Sequence, residues 1–175
     1  MASSATTATT SVNKERFLET YEKEHATTRR VLRAYPKDKA DLRPHAMCKT
    51  ARELAFVFAV ERGLGTVVMN NGLASGGPPG PFPEPPKSWE DTLDAVEKAH
   101  KDFGDLIRGM SEEQLNDTVK FFSGPKQLAD MRRIDILWSL LHDEIHHRGQ
   151  FSIYLRMAGG KVPSIYGPTA DEPWM

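Results

Sequence analysis

The chain is poor in several of the things that would have declared a function at once. It has one cysteine, Cys48, in 175 residues, which excludes an internal disulfide and any zinc site built from several thiolates. Cys48 falls near the start of a predicted helix, and a buried, inert thiol is the expected reading. No charge sign dominates: the formal net charge is −1, and no basic stripe carries interleaved aromatics, so nucleic-acid binding is not expected. The longest apolar run, LAFVFAV at 54–60, is far short of the ~20 residues of a membrane span. Strand-like alternation and internal repeats are missing. The opening MASSATTATTSV has neither an apolar core nor an arginine, so neither a secretory signal nor a transit peptide is expected, and the reading is a cytoplasmic protein.

What is present is ordinary for a globular chain: 39% hydrophobic and 27% charged residues, at a length that suits one domain. Residues 1–12 read as a disordered Ser/Thr/Ala tail and 13–175 as a single helical domain. Phe17, Tyr21, His25, Thr28, Val31 and Leu32 recur at helical steps and predict a helix over about 13–34, ended by Pro36. Pro44 suits a helix start, so a second helix is expected over about 45–69, with stripe residues Leu54, Ala55, Phe58 and Arg62 and an end weakened by Gly63 and Gly65. The segment 70–88 is dense in Gly and Pro and is expected to be a loop crossing the bundle end over a pocket. A third helix opens at Ser88. A short one is expected at 112–115, capped by Ser111 and Gln114, and TVKFF at 118–122 reads as extended within an otherwise irregular stretch. A last, long helix runs over 132–158 to the Gly159-Gly160 pair, and an irregular tail follows, which Ile165, Tyr166 and Trp174 are expected to pin to the body. The sum is an all-α protein, a four-helix bundle.

The last helix carries three of the six histidines within six residues. At about 100° per residue, Ile136, Leu140, Phe151, Tyr154 and Ala158 fall on the side of His147, whereas His142 and His146 point away. Asp143, Glu144 and Gln150 flank the same side. An inward histidine beside inward carboxylates is either a satisfied core histidine or a metal or catalytic pocket lined by Asp143, Glu144 and His147. His25, His100 and His147 each follow a glutamate by three residues: Glu22, Glu97 and Glu144. That is the spacing by which di-iron bundles present their ligands, so a di-metal carboxylate protein is a further reading.

The run HDEIHHRGQFSIYLRMAGGKVPSIYGPTADEP at 142–173 closely resembles the final helix and tail of the DinB-like family, and PHAMCKTARELAFVFAVE at 44–61 resembles its second helix. The resemblance implies a four-helix bundle, often dimeric. It also implies one divalent metal (nickel, zinc, iron or manganese) on three histidines, one from the second helix and two from the last. Some relatives are thiol-dependent transferases or isomerases. Carried onto this chain, the ligand before Arg-Gly-Gln is His147 and its partner one turn earlier is Asp143. The second-helix histidine falls on Val57, which cannot ligate, so the site is expected to be degenerate and the metal weak or absent. Glu61, one turn from Val57, and Glu144 are the residues that compensate; Gln150 and Tyr154 complete the expected pocket. The resulting expectation is a small-molecule, thiol-dependent transferase or hydrolase with altered metal use. The alternatives are a non-catalytic binding or stress-response bundle that has lost the metal, and the di-metal protein.

Overall fold

A computed structural model describes residues 4–73 and 81–175, with side chains from residue 13 onward. Four long helices carry the fold: α1 (Ser4–Arg33), α2 (Ala51–Asn71), α3 (Trp89–Gly109) and, after the short α4 (Glu112–Asn116), α5 (Arg133–Met157). The four-helix bundle and its all-α character are as expected, with a small antiparallel hairpin, β1 (Thr118–Gly124) and β2 (Gln127–Arg132), added between α4 and α5.

Local chemistry explains where most elements begin. α2 starts at Ala51 rather than near His45, because Thr50 and Glu53 form a reciprocal capping box. The Thr50 hydroxyl accepts from the Glu53 N–H, and the Thr50 N–H donates to the Glu53 carboxylate at 2.6 Å. Ser88 caps α3 by accepting from the Asp91 N–H, and Ser111 with Gln114 boxes α4. Gly159, with φ of +82°, follows the end of α5. α1 begins at Ser4, ahead of the expected Asn13. The extended 118–122 is β1, but its partner β2 falls in a stretch expected to be irregular.

α1 packs on α5 and α3, and α2 packs on α3 and α5, so α1 lies diagonal to α2. Buried side chains form two apolar clusters. One holds Phe17, Val68, Phe103, Ile107 and Leu137; the other holds Val31, Phe58, Trp89, Val96 and Phe151. Followed along the chain, α1 and α5 run from the first cluster to the second, and α2 and α3 run the other way. α2 therefore ends at the opposite end of the bundle from the start of α3. Their connection must travel the length of a helix, about 30 Å for 21 residues, rather than cross one end as expected. Among its described residues, Leu73 is buried and its N–H donates to the Lys120 carbonyl at 2.8 Å, while Pro81, Phe82 and Pro83 lie along α2. Residues 74–80 of the expected loop lie outside the described residues.

Between the two apolar clusters sits a polar layer. Tyr21, His25 and Thr28 from α1, Arg62 from α2, His100 from α3, and Glu144 and Arg148 from α5 are all buried. The tail is pinned as expected by Tyr166, whose hydroxyl donates to Glu24 and accepts from Arg148, both at 2.8 Å. Trp174 instead closes the tail on itself, through Ser164.

Candidate metal centre

The capping box starts α2 so that Val57 and Glu61, one turn apart, share the flank that faces α5. Opposite them, Asp143 and His147 are also one turn apart. His147 Nε2 lies 3.1 Å from Glu61 Oε1 and 3.8 Å from Asp143 Oδ1. The ligating atoms of Glu61, Asp143 and His147 all fall within 4.8 Å of one another, and among the described residues they form the one such group of three. Two donors bound to one ion at about 2.1 Å stand roughly 3–4.2 Å apart, so both separations suit a shared cation.

The outer contacts support a ligating Nε2. His147 Nδ1–H donates to Gln150 Oε1 at 2.9 Å, and the Gln150 amide donates in turn to His146 Nε2 at 2.9 Å. This chain fixes both the Gln150 orientation and the His147 tautomer, leaving Nε2 toward the carboxylates. The hydrogen bond to Glu61 raises the His147 pKa to about 9, against an opposing effect of burial. Burial pushes the Glu61 carboxyl above its ordinary range, an effect that His147 counters. At neutral pH and without a metal, His147 is therefore an imidazolium paired with Glu61.

Glu61 and His147 stand at the polar part of an otherwise apolar cleft of about 590 Å³, bordered by Val57, Val60, Leu64 and Phe82 and reaching Lys49. Val57 lines this cleft, as the sequence reading expects for the position of the absent histidine.

Two expected site residues are elsewhere. Glu144 does not join Asp143 and His147: its carboxylate accepts from Thr28 Oγ1 at 2.7 Å and from Arg62 at 2.9 Å, inside the polar layer. The reason is rotational. The buried face of α5 centres on Leu137, Leu141, Glu144 and Arg148, about 80° from His147, which therefore sits at the rim with a fifth of its side chain exposed. Tyr154 is buried in the second apolar cluster, and its hydroxyl donates to the Lys49 carbonyl at 2.9 Å. Arg148 is the residue that sequence reasoning missed: 1% exposed, it binds Glu24 at 2.7 Å in the core. The Glu-x-x-His pairs of α1 and α3 do not converge on a metal either. His25 bonds Glu97 at 3.2 Å, and His100 bonds Glu22 at 2.9 Å.

A model of the DinB family matches residues 84–174, more than half of the chain. The chain belongs to the DinB family. Among curated proteins, the uncharacterized protein YrdA of Bacillus subtilis is 27% identical over 110 residues, a match spanning 62% of each chain. Among solved structures, a DinB-like protein of Bacillus cereus superposes with a TM-score of 0.70 at 23% identity, covering 87% of this chain and 97% of that one. The DinB-like protein YjoA of Bacillus subtilis gives 0.68 at 19%, covering 91% and 99%. YfiT of Bacillus subtilis, described as a probable metal-dependent hydrolase with an unusual four-helix bundle topology, gives 0.64 at 14%, covering 85% and 89%. At these identities the solved structures establish the DinB fold. Among the described residues, no helix is long and apolar enough to cross a membrane.

Proposed function

We propose that this protein is a metal-dependent enzyme acting on a small molecule held in the apolar cleft, with one divalent cation on Glu61, Asp143 and His147. The observation that carries the reading is the 3.1 Å approach of Glu61 to His147 beside Asp143, which supplies from one turn away the ligand that Val57 lacks. Two carboxylates and one imidazole form a harder donor set than three histidines, and favour manganese or iron over nickel or zinc. A cation held there would lower the pKa of a bound water or thiol and so supply a nucleophile at neutral pH, the chemistry shared by a hydrolase and a thiol transferase.

The chain's own residues have separable tasks. Gln150 orients His147 and keeps Nε2 directed at the carboxylates. Glu61, in the cleft wall, stays close to His147 and accepts the hydrogen bond of the protonated imidazole when no metal competes for it. Val57, Val60 and Leu64 exclude water from the substrate body. The reading extends to a cytoplasmic location and a homodimer, to be examined by fractionation and light scattering.

Mass spectrometry of protein purified without added metal or a polyhistidine tag tests the centre. About one manganese or iron per chain is expected, lost in His147→Ala and Glu61→Ala with the helical spectrum retained. Folded protein that takes up no divalent ion from millimolar manganese, iron or zinc refutes it. The second reading, a binding bundle without metal, is favoured by the closed Glu61–His147 ion pair and the apolar Val57. It is the one that such a negative result would leave.

A further inference from the structure

The cleft has a second polar end. Lys49 lies in the turn just before the Thr50 cap of α2, and its backbone is tied to α5 by the hydrogen bond from Tyr154. Its Nζ stands 4.5 Å from the centre of the Phe82 ring, a cation–π contact that holds the ammonium at the cleft wall. The nearest carboxylate in sequence, Glu53, is already engaged by the Thr50 N–H at 2.6 Å and by Arg43 at 3.2 Å. Lys49 is exposed, its charge acts on Glu53, and among the described residues it forms no salt bridge, so it sets a cation at the mouth of the apolar cleft.

Ten residues of helix separate Ala51 from Glu61, which sets the two polar ends roughly 15 Å apart along α2. Between them the wall is apolar. A neutral ligand would gain nothing from Lys49, and a cationic head group there would be repelled by it. An anion lying against Glu61 would be repelled in turn. One orientation satisfies both ends.

We propose that the cleft takes an amphipathic organic anion, with its charged group on Lys49, its apolar body over Val57, Val60 and Leu64, and its reacting end toward Glu61 and His147. The assignment of the reacting end rests on the metal-dependent reading above; the anion site at Lys49 does not.

Calorimetric titration of the full chain with octanoate, octanol and octyltrimethylammonium tests the proposal. Each is run on manganese-loaded and on chelator-treated protein, with the Lys49→Gln and Val60→Trp variants alongside. Octanoate is expected to bind at least tenfold more tightly than octanol, and octyltrimethylammonium most weakly. Lys49→Gln should remove that tenfold preference while leaving octanol unchanged, and Val60→Trp, which fills the cleft, should abolish binding of both. Equal binding of octanoate and octanol, or octanoate binding indifferent to Lys49→Gln or to Val60→Trp, overturns the proposal. Octanoate binding that needs manganese and ignores Lys49→Gln also overturns it, while leaving the metal centre standing. Lys49-dependent binding to chelated protein that takes up no metal supports the anion site and removes the metal reading alone.

Discussion

His25 and His100 lie ring on ring, with 3.5 Å between centroids and 8° between planes, and each is bonded to the glutamate of the other's helix. The two Glu-x-x-His pairs that look from the sequence like metal motifs are thus an interlock between α1 and α3. Tyr21 extends the stack over His100 and donates to the His100 carbonyl at 3.0 Å.

Acid should release this interlock. Burial lowers the His25 pKa to about 4, helped by His100 and Arg62, and lowers that of His100 to about 3, helped by Arg62. His100 Nδ1 is buried without a partner, so a proton there would have nothing to donate to. Both rings are neutral at pH 7, and their glutamate contacts are hydrogen bonds rather than ion pairs. Because folding depresses both values below 6.5, the unfolded chain binds more protons in this range. Stability is complete above about pH 6.5 and is lost as pH falls through the folded values, a drop on the order of a few kcal/mol. Thermal melts between pH 7 and pH 4 should show it, and His100→Phe, which keeps a ring in the stack, should flatten the slope. An unchanged slope would count against the stacked pair as its source.

The Arg62–Glu144 pair joins α2 to α5 at 2.9 Å, with both side chains 5% exposed. Arg62 also donates to Tyr21 at 3.2 Å and to the Phe58 carbonyl at 2.7 Å. Removing one partner leaves a buried charge, so Arg62→Leu should cost about 3–5 kcal/mol in urea unfolding. Adding Glu144→Leu should recover part of that loss. If the double variant is less stable than the sum of the singles, the pair is not the source.

Gly63 and Gly65 should respond to alanine with opposite signs. A Cβ on Gly65 would meet Phe103 Cζ at 2.7 Å, in the buried contact of α2 with α3, and should cost about 1–3 kcal/mol. A Cβ on Gly63 meets nothing within 4 Å, and helix propensity should then stabilise by up to about 1 kcal/mol. Paired denaturation curves decide it. Both glycines look alike in the sequence, where they read as a weak helix end; the helix continues to Asn71.

Val57→His should add a fourth donor on the flank that already holds Glu61. Divalent metal affinity is expected to rise at least tenfold, read as a larger metal-dependent shift in melting temperature. A variant that folds but gains no affinity would show that position 57 does not reach the centre.

The helices were legible because apolar residues recur at helical steps over 20 residues or more, and because Ser88, Ser111 and Gly159 carry terminal chemistry. For the start of α2, Pro44 is only a permissive signal, whereas Thr50 and Glu53 are a bonded one, and the bonded one sets it. β2 leaves no alternation in the sequence, because it has no buried face to impose one. At the site, turn counting and family resemblance name Asp143, His147, Val57 and Glu61; Val57, Glu61 and His147 line one cleft, and Asp143 stands beside Glu61 and His147 at its edge. Glu144 does not join them, being bonded to Thr28 and Arg62. Turn counting weights Leu140 and Ala158 as core, and cannot know that two charged residues, Glu144 and Arg148, form the centre of the buried face.

That placement of Glu144 has a consequence for how the cleft can change. Asp143 and Glu144 are neighbours, as are His147 and Arg148; in each pair one residue belongs to the candidate metal centre and the other is fastened inside the bundle. The inner two act as a key in a slot that sets the rotation of α5. With the rotation held from within, substitutions at 143 and 147 alter what the cleft can bind without altering where the cleft is. A chain built this way can exchange ligands, as at Val57, and keep its shape.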